Sequence, residues 1–275
     1  LINYCKTYEI TVIISLFDID LPILSKNIQV FKDMGVDVIV SNPDVIDICN
    51  DKWKTYQFLV EHDINTPKTY ISLAEALTAL NNNKLLYPVI IKPRWGMGSI
   101  GIYKADNVEE LQVFYKKVLN EIESSYLRFE SSADIAKSVL IQQCINSDEY
   151  GIEVINDFQK NYVTTFCKKK LAMRSGETDQ AVTIENNKLS TIGKKLSAAL
   201  GHIGMLDSDC LVENDEFYVL ELNARFGGQY PFSHLAGADI PKQIIDWCNG
   251  NPTSSTNFAV RNNVLTAKDI KPVLV

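Results

Sequence analysis

Phe217-Tyr218-Val219-Leu220-Glu221-Leu222-Asn223-Ala224-Arg225 is the stretch from which the rest of the chain is best read. It reads as a β-strand, and side chains two apart on a strand share a face. Glu221 and Asn223 then project together, with Arg225 beyond them if the strand continues, while Tyr218, Leu220 and Leu222 point the other way. A carboxylate beside an amide oxygen makes a hard oxygen site, the kind that holds Mg²⁺ against nucleotide phosphates. A neighbouring arginine can fork onto a phosphate oxygen. A strand whose polar residues merely face water is the plain alternative. Phe226-Gly227-Gly228-Gln229 follows, and its two adjacent glycines suggest a backbone held close to something.

Working outward, Met205 to Val212 is expected to pair with this strand across Glu213-Asn214-Asp215-Glu216. Asp207 and Asp209 share a face of that partner strand, so one of them would lie beside Glu221 and Asn223. Carboxylates so clustered repel unless a cation joins them, or unless both simply face solvent. Upstream, Lys92-Pro93-Arg94-Trp95-Gly96-Met97-Gly98-Ser99-Ile100-Gly101 sits between two strands rather than between a strand and a helix. That context excludes a Walker A loop and a dinucleotide fingerprint. The glycines suggest a flap whose amides cover phosphates, the alternative being a flexible hairpin with incidental basic residues. Lys92 is sharper, since a lysine in the apolar strand Val89-Ile90-Ile91 is costly without a nearby anion. Glu149, following the strand Val139–Ile145, could take a ribose hydroxyl, but by itself it reads more readily as a surface loop acid. Lys168-Lys169-Lys170 with Arg174 reads by default as a solvated charged turn. His62, His202 and His234 form no pair with a serine or cysteine, so a protein nucleophile is unsupported.

The remaining pattern alternates strand and helix. A strand over Glu9–Phe17, apolar enough to be buried on both faces, a helix over Pro22–Met34 and a strand over Val36–Val40 suggest the tail of a Rossmann-like domain. Two helical pieces over Pro43–His62, helices over Leu73–Leu80, Val108–Tyr126, Lys188–Leu200 and Ile240–Cys248, and an antiparallel pair over Tyr150–Ile155 and Tyr162–Cys167 complete the reading. The chain has 275 residues, 46% hydrophobic and 22% charged, with a net charge of −7 that argues against a nucleic-acid partner. No run is apolar enough to span a membrane. The six scattered cysteines suggest reduced thiols in a cytoplasmic protein. Because the sequence opens at Leu1 almost directly in a strand-like run, any N-terminal domain is expected to be incomplete.

Taken together, Lys92 with its glycine loop, Glu149, Asp209 and Glu221-x-Asn223-x-Arg225 resemble the ATP-grasp enzymes, specifically the carbamoyl-phosphate-synthase-large-subunit-like group. The likeness runs over roughly residues 45–250. The resemblance implies an α/β (α+β) fold: a partial Rossmann-like pre-ATP-grasp domain over 1–45, then an ATP-grasp domain over 46–275. Within the latter, a small ATP-binding subdomain would occupy 66–145 and a large subdomain with the Mg²⁺ and phosphate site 146–275.

The resemblance also implies roles. Lys52 and Lys92 match the basic phosphate contacts, and Gly96, Gly98 and Ser99 belong to the mobile loop over them. Gln142, Gln143, Cys144 and Ile145 match the segment that takes adenine, and Glu149 the ribose-binding acid. Asp209, Glu221 and Asn223 match the ligands of Mg²⁺, with Mn²⁺ as a substitute. Arg225 matches the arginine that stabilises the transferred phosphoryl group, and Arg174 a contact to the triphosphate or acyl phosphate. Gln142 departs from the family, whose members often carry an acid there. ATP-grasp relatives are often dimers, so the resemblance leaves a homodimer open. The implied activity is Mg²⁺-ATP-dependent ligation of a small carboxylate to an amine or similar nucleophile through an acyl phosphate. The rivals are phosphoryl transfer to a bicarbonate- or carbamate-like acid without ligation, and a non-catalytic ATP-binding module.

Overall fold

The computed structural model describes residues 1–96, 98, 100–132, 134–174 and 176–269. The chain folds as two compact units: Ile48–Ser147 with Leu211–Glu221, and Leu1–Asp47, Asp148–Cys210 and Leu222–Val275.

The N-terminal segment opens with α1 (Ile2–Thr7), which the sequence did not suggest, then β1 (Val12–Ile14), α2 (Leu21–Lys26), α3 (Ile28–Lys32), β2 (Asp37–Ile39) and α4 (Pro43–Asn50). β1 and β2 pair in parallel, Val12 opposite Asp37 and Ile14 opposite Ile39, as the alternating pattern suggested. The expected long strand is cut down to three residues, the ones that find partners on β2, and Glu9 takes φ 51° before it. It is not buried on both faces either: this is a two-stranded sheet and Ile14 is exposed. The expected single helix over Pro22–Met34 breaks at Asn27, whose ψ of 14° leaves the helical range and whose side-chain amide donates to Ile23 O.

In the first unit follow α5 (Lys52–Glu61), β3 (Thr69–Tyr70), α6 (Leu73–Asn81), β4 (Val89–Pro93), β5 (Tyr103–Ala105), α7 (Val108–Ser124), α8 (Leu127–Ser131) and β6 (Val139–Gln143). The four strands form a sheet in the order β3-β6-β4-β5, with β4 antiparallel to both neighbours. α7 starts where Asn107 Oδ1 accepts from Glu110 N at 2.9 Å, and Glu109 and Glu110 in its first turn suit the helix dipole. Leu111, Val118 and Ile122 recur on one face of α7 and are fully buried against Val89, Ile91 and Ile141.

The second unit is built on a six-stranded sheet in the order β11-β10-β7-β8-β9-β12. Its elements are β7 (Glu149–Asn156), β8 (Tyr162–Arg174), β9 (Glu177–Ile184), α9 (Asn187–Leu200), β10 (Gly204–Glu213), β11 (Glu216–Asn223), α10 (Tyr230–Ala236), α11 (Ile240–Cys248) and β12 (Leu265–Ala267). β10 and β11 belong in part to the first unit. They join through Asn214 and Asp215, whose φ of 51° and 65° match the two positive-φ residues of a type I′ hairpin. β9, α10 and β12 were not foreseen. The basic run Lys168–Lys170 is no turn but the middle of β8, a correction taken up below.

α9 lies against β8 so closely that a Cβ on Gly193 would sit 2.2 Å from Thr165 Oγ1 and 3.0 Å from Thr165 Cβ. Rotating the threonine cannot clear the second contact, so strand or helix must move. Gly193→Ala is therefore expected to destabilise the protein by ~1–3 kcal/mol, lowering the melting temperature by about 2–4 °C per kcal/mol for a chain of this size. An unchanged melting temperature by differential scanning calorimetry would contradict this packing.

Candidate active site

In the first unit the site is built around Lys92, on β4, at 5% exposure. Its Nζ donates to Gln142 Oε1 at 2.8 Å, and the Gln142 amide in turn donates to Thr69 Oγ1 at 2.8 Å. β4 and β6 set this up, because Ile90 pairs with Gln142 and Lys92 with Leu140. Glutamine is neutral, so it satisfies the ammonium's hydrogen bond without cancelling its charge. Burial, with a smaller contribution from Lys52, therefore lowers the Lys92 pKa to about 7, and only Glu221 opposes.

Lys52 opens α5, which is capped by Asp51 accepting from Trp53 N and Lys54 N. The Lys52 ammonium donates to Gly96 O, tying that helix to the glycine-rich loop. Asp51 also receives Arg94 through two hydrogen bonds of 2.7 and 2.6 Å. Arg94 thus anchors the base of the loop, whereas sequence reading grouped it with Lys92. Gly96, Gly98 and Gly101 take φ of 114°, 68° and 70°, which side-chain-bearing residues rarely adopt. Ser99, placed in this loop by the resemblance, lies outside the described residues, as does Met97.

Gln143 ends β6, with its N donating to Lys68 O at 2.8 Å. Cys144 and Ile145 follow the strand's last residue, half-buried and buried respectively. Burial raises the Cys144 thiol pKa, which disfavours thiolate chemistry there.

In the second unit Glu149 is the first residue of β7, and it does not stand alone. Lys170 Nζ reaches Glu149 Oε1 at 2.5 Å and Asp209 Oδ1 at 2.6 Å, although its side chain is only 3% exposed. Burial alone would depress this lysine's pKa, but Asp209 and Glu149 outweigh it and hold the pKa above its ordinary value. Lys168, two residues away on the same face of β8, is wholly buried and bonds Glu153 at 2.7 Å and Ser233 at 2.7 Å. Lys169 points the other way, to Asp148 at 2.6 Å. The run is thus two buried lysines, which make three ion pairs between them, and a more exposed one that makes a fourth. No sequence rule pointed to Lys170. The strand alternation that puts Lys168 and Lys170 on one face is the signal that could have found it.

Glu221 and Asn223 stand two apart on β11, both half-buried. Asp209 is on β10 with its carboxylate on Lys170. Arg174 ends β8 half-exposed, its guanidinium on Asp179. Arg225 donates to Phe226 O at 3.1 Å and to Asp18 Oδ2 at 2.7 Å, and lies 3.8 Å from Asp207 Oδ2. Asp207 is buried, and burial with the nearby Glu153 raises its pKa against the pull of Arg225. Gln229 donates to Asp207 and, at 3.5 Å, to Asp209. The two adjacent glycines foresaw this closeness: a Cβ on Gly227 would lie 2.1 Å from Asp207 Cγ. Gly151 is bare for the same reason, since its Cβ would lie 1.6 Å from Gln229 Oε1.

Asp209, Glu221 and Asn223 would offer a cation only oxygen. That suits Mg²⁺ completed by phosphate and water oxygens, and not zinc, which prefers nitrogen and sulfur. Among the described residues no three His, Cys, Asp or Glu converge on one point. No helix among the described residues is long and apolar enough to cross a membrane.

The profile of the ATP-grasp domain family matches residues 49–229. The carbamoyl phosphate synthase large chain of Campylobacter jejuni is 23% identical over 218 residues, covering 76% of this chain and 19% of its own length. The corresponding chain of Helicobacter pylori is 26% identical over 218 residues, covering 74% and 19%. The chain thus spans about a fifth of the length of these curated relatives. Among solved structures, the biotin carboxylase of Campylobacter jejuni superposes with a TM-score of 0.77 at 19% identity, over 96% of this chain and 60% of that one. An L-amino acid ligase of Bacillus licheniformis gives 0.70 at 20% identity, over 95% and 63%. At such identities the structural likeness shows the fold alone.

Lys92 gives the nucleotide-free site a signature. Its pKa is about 7 without ligand, and adjacent phosphates would raise it. Above that midpoint the free site has lost the proton that the bound site keeps. Nucleotide affinity is therefore expected to be highest below about pH 7 and to fall as pH rises, by up to about tenfold per unit, until the bound-state pKa is passed. ADP titrations monitored by fluorescence across that range check this, and Lys92→Met should flatten the profile.

Proposed function

The chain belongs to the ATP-grasp domain family, and from that premise we propose that it is a Mg²⁺-ATP-dependent ligase joining a small carboxylate to an amine. The observation that carries the reading is Lys92, a buried ammonium whose only side-chain acceptor named above is neutral, close enough to Lys52 for the two charges to interact. Such a pair is unfavourable in the free protein and becomes favourable when a polyphosphate lies between them.

In this reading Lys52, Lys92 and the amides of the Gly96–Gly101 loop hold the phosphates, with Arg174 as a further contact. Gln142 to Ile145 take the adenine and Glu149 a ribose hydroxyl. Asp209, Glu221 and Asn223 would hold Mg²⁺, which when bound would neutralise phosphate charge. A carboxylate oxygen of the substrate attacks the γ-phosphorus, the bond to the β,γ-bridging oxygen breaks, and ADP leaves. Arg225 stabilises the charge on the moving phosphoryl group. The amine nitrogen then attacks the acyl carbon, the C–O bond to phosphate breaks, and the amine proton is lost. No protein nucleophile is needed. The loop over the phosphates would keep water from the acyl phosphate. The similarity to carbamoyl phosphate synthase large chains supports a small acid as substrate.

Glu221→Ala is expected to cut carboxylate-stimulated ADP release by about 10²–10³-fold, the scale of removing one electrostatic stabiliser. Its side chain is half-buried on a strand, so the melting temperature should stay near that of the wild type. Turnover close to normal in this variant would sink the assignment. Product analysis with and without amines separates a ligase, which forms a new C–N bond, from a phosphotransferase, which does not.

A further inference from the structure

Behind Lys92 runs a chain of hydrogen bonds with a single direction. Lys92 Nζ donates to Gln142 Oε1 at 2.8 Å, Gln142 Nε2 donates to Thr69 Oγ1 at 2.8 Å, and Thr69 Oγ1 donates to Pro67 O at 2.9 Å. Thr69, Lys92 and Gln142 are all buried. Three neighbouring strands bring them together, since Gln142 on β6 pairs with Thr69 on β3 and with Ile90 on β4.

The direction of the Gln142 amide is set at both ends. An ammonium can only donate, so it must meet the amide oxygen. The Thr69 proton is committed to Pro67 O, so the hydroxyl offers a lone pair and must meet the NH₂. A glutamate of the same size would break the series. Its second oxygen would face a lone pair on Thr69 unless that hydroxyl turned away from Pro67, and its charge would cancel that of Lys92. The other charges acting on Lys92 are Lys52 on α5 and Glu221 on β11, which oppose one another. A buried lysine is ordinarily anchored by an acid, which also neutralises it. Here the anchor is neutral, so holding the ammonium and cancelling it are separated.

We propose that the Gln142 side chain is a positioning residue for the phosphates and not a reader of the base: held by Thr69, it turns a neutral oxygen to Lys92, fixing the ammonium in place while leaving its charge to a polyphosphate. The proposal rests on the ATP-binding reading above and reassigns one side chain within it. It also gives Thr69 a part, as the support of that side chain.

The test uses three probes in the presence of Mg²⁺, measured by calorimetry or competition. ADP carries base and charge, adenosine only the base, and pyrophosphate only the charge. Gln142→Glu should weaken ADP and pyrophosphate about tenfold or more, the scale of one charge-assisted hydrogen bond, and leave adenosine within about twofold of wild type. Thr69→Val should weaken ADP and pyrophosphate to a smaller extent, and Thr69→Ser, which keeps the hydroxyl, should restore them. Adenosine and ADP weakened alike in Gln142→Glu, with pyrophosphate spared, would make Gln142 a base contact and overturn the proposal. Equal losses for all three probes, the mark of a disturbed fold, would overturn it too, as would no loss for any. The expected pattern in a protein that releases no ADP from ATP with any carboxylate and amine would fell the ligase reading and leave this one. Pyrophosphate binding spared in Gln142→Glu, with ligation intact in the wild type, would do the reverse.

Discussion

The second unit is organised around an ammonium with no exposed surface. Lys168 sits at the centre of β8, and Glu153 on β7 and Ser233 on α10 both reach it. Ser233 Oγ also donates to Glu153 at 2.6 Å, closing a three-membered ring of polar groups with no water access. Taking two charges out of water is expensive, and here the ion pair and the Ser233 bond offset it at Glu153 Oε2 while Oε1 is buried with no hydrogen bond. Once present it constrains everything near it. Two strands and a helix must keep their register or leave a charge stranded, which costs about 3–5 kcal/mol. The carboxylate of Glu153 also raises the pKa of Asp207, so this structural pair reaches into the electrostatics around Arg225.

The first unit handles its buried cation in the opposite way. Lys92 receives an amide where Lys168 receives a carboxylate, and burial lowers the Lys92 pKa to about 7. A lysine held by an acid is a structural element, whereas one held by an amide keeps its charge available to a ligand. Arg94, two residues on from Lys92, is structural, locked in a fork with Asp51. Its double hydrogen bond fixes where α5 begins relative to the loop, and so where Lys52 stands.

What the sequence made legible follows from local rules. The strand carrying Glu221 and Asn223, the hairpin before it, the α7 stripe and Lys92 in an apolar strand all declare themselves through period-two or period-3.6 patterns and through one charge out of place. The ATP-grasp family was legible because several such features fall in order. The rest depends on partners remote in sequence. Lys168–Lys170 read as a solvated turn because nothing nearby announces Glu149, Glu153 or Asp209. β9 was missed because Glu177 to Gln180 looks like loop, and its strand character comes from pairing with β8. The contact of Asp18 with Arg225 has no local signal at all. The two-stranded β1–β2 sheet is shorter than its apolar sequence suggested, since a strand extends only as far as a neighbour can pair with it.

The turn at Asn214-Asp215 has a consequence for how this chain can vary. Side chains on a strand alternate, so an odd number of residues added between Asp215 and Glu221 would rotate Glu221 and Asn223 to the face now held by Leu220 and Leu222. An even number would preserve their side while sliding them along the ladder. Length variation, which most surface loops absorb freely, is therefore subject to parity on this strand. Related chains should keep the interval from turn to glutamate fixed even where every residue within it has changed.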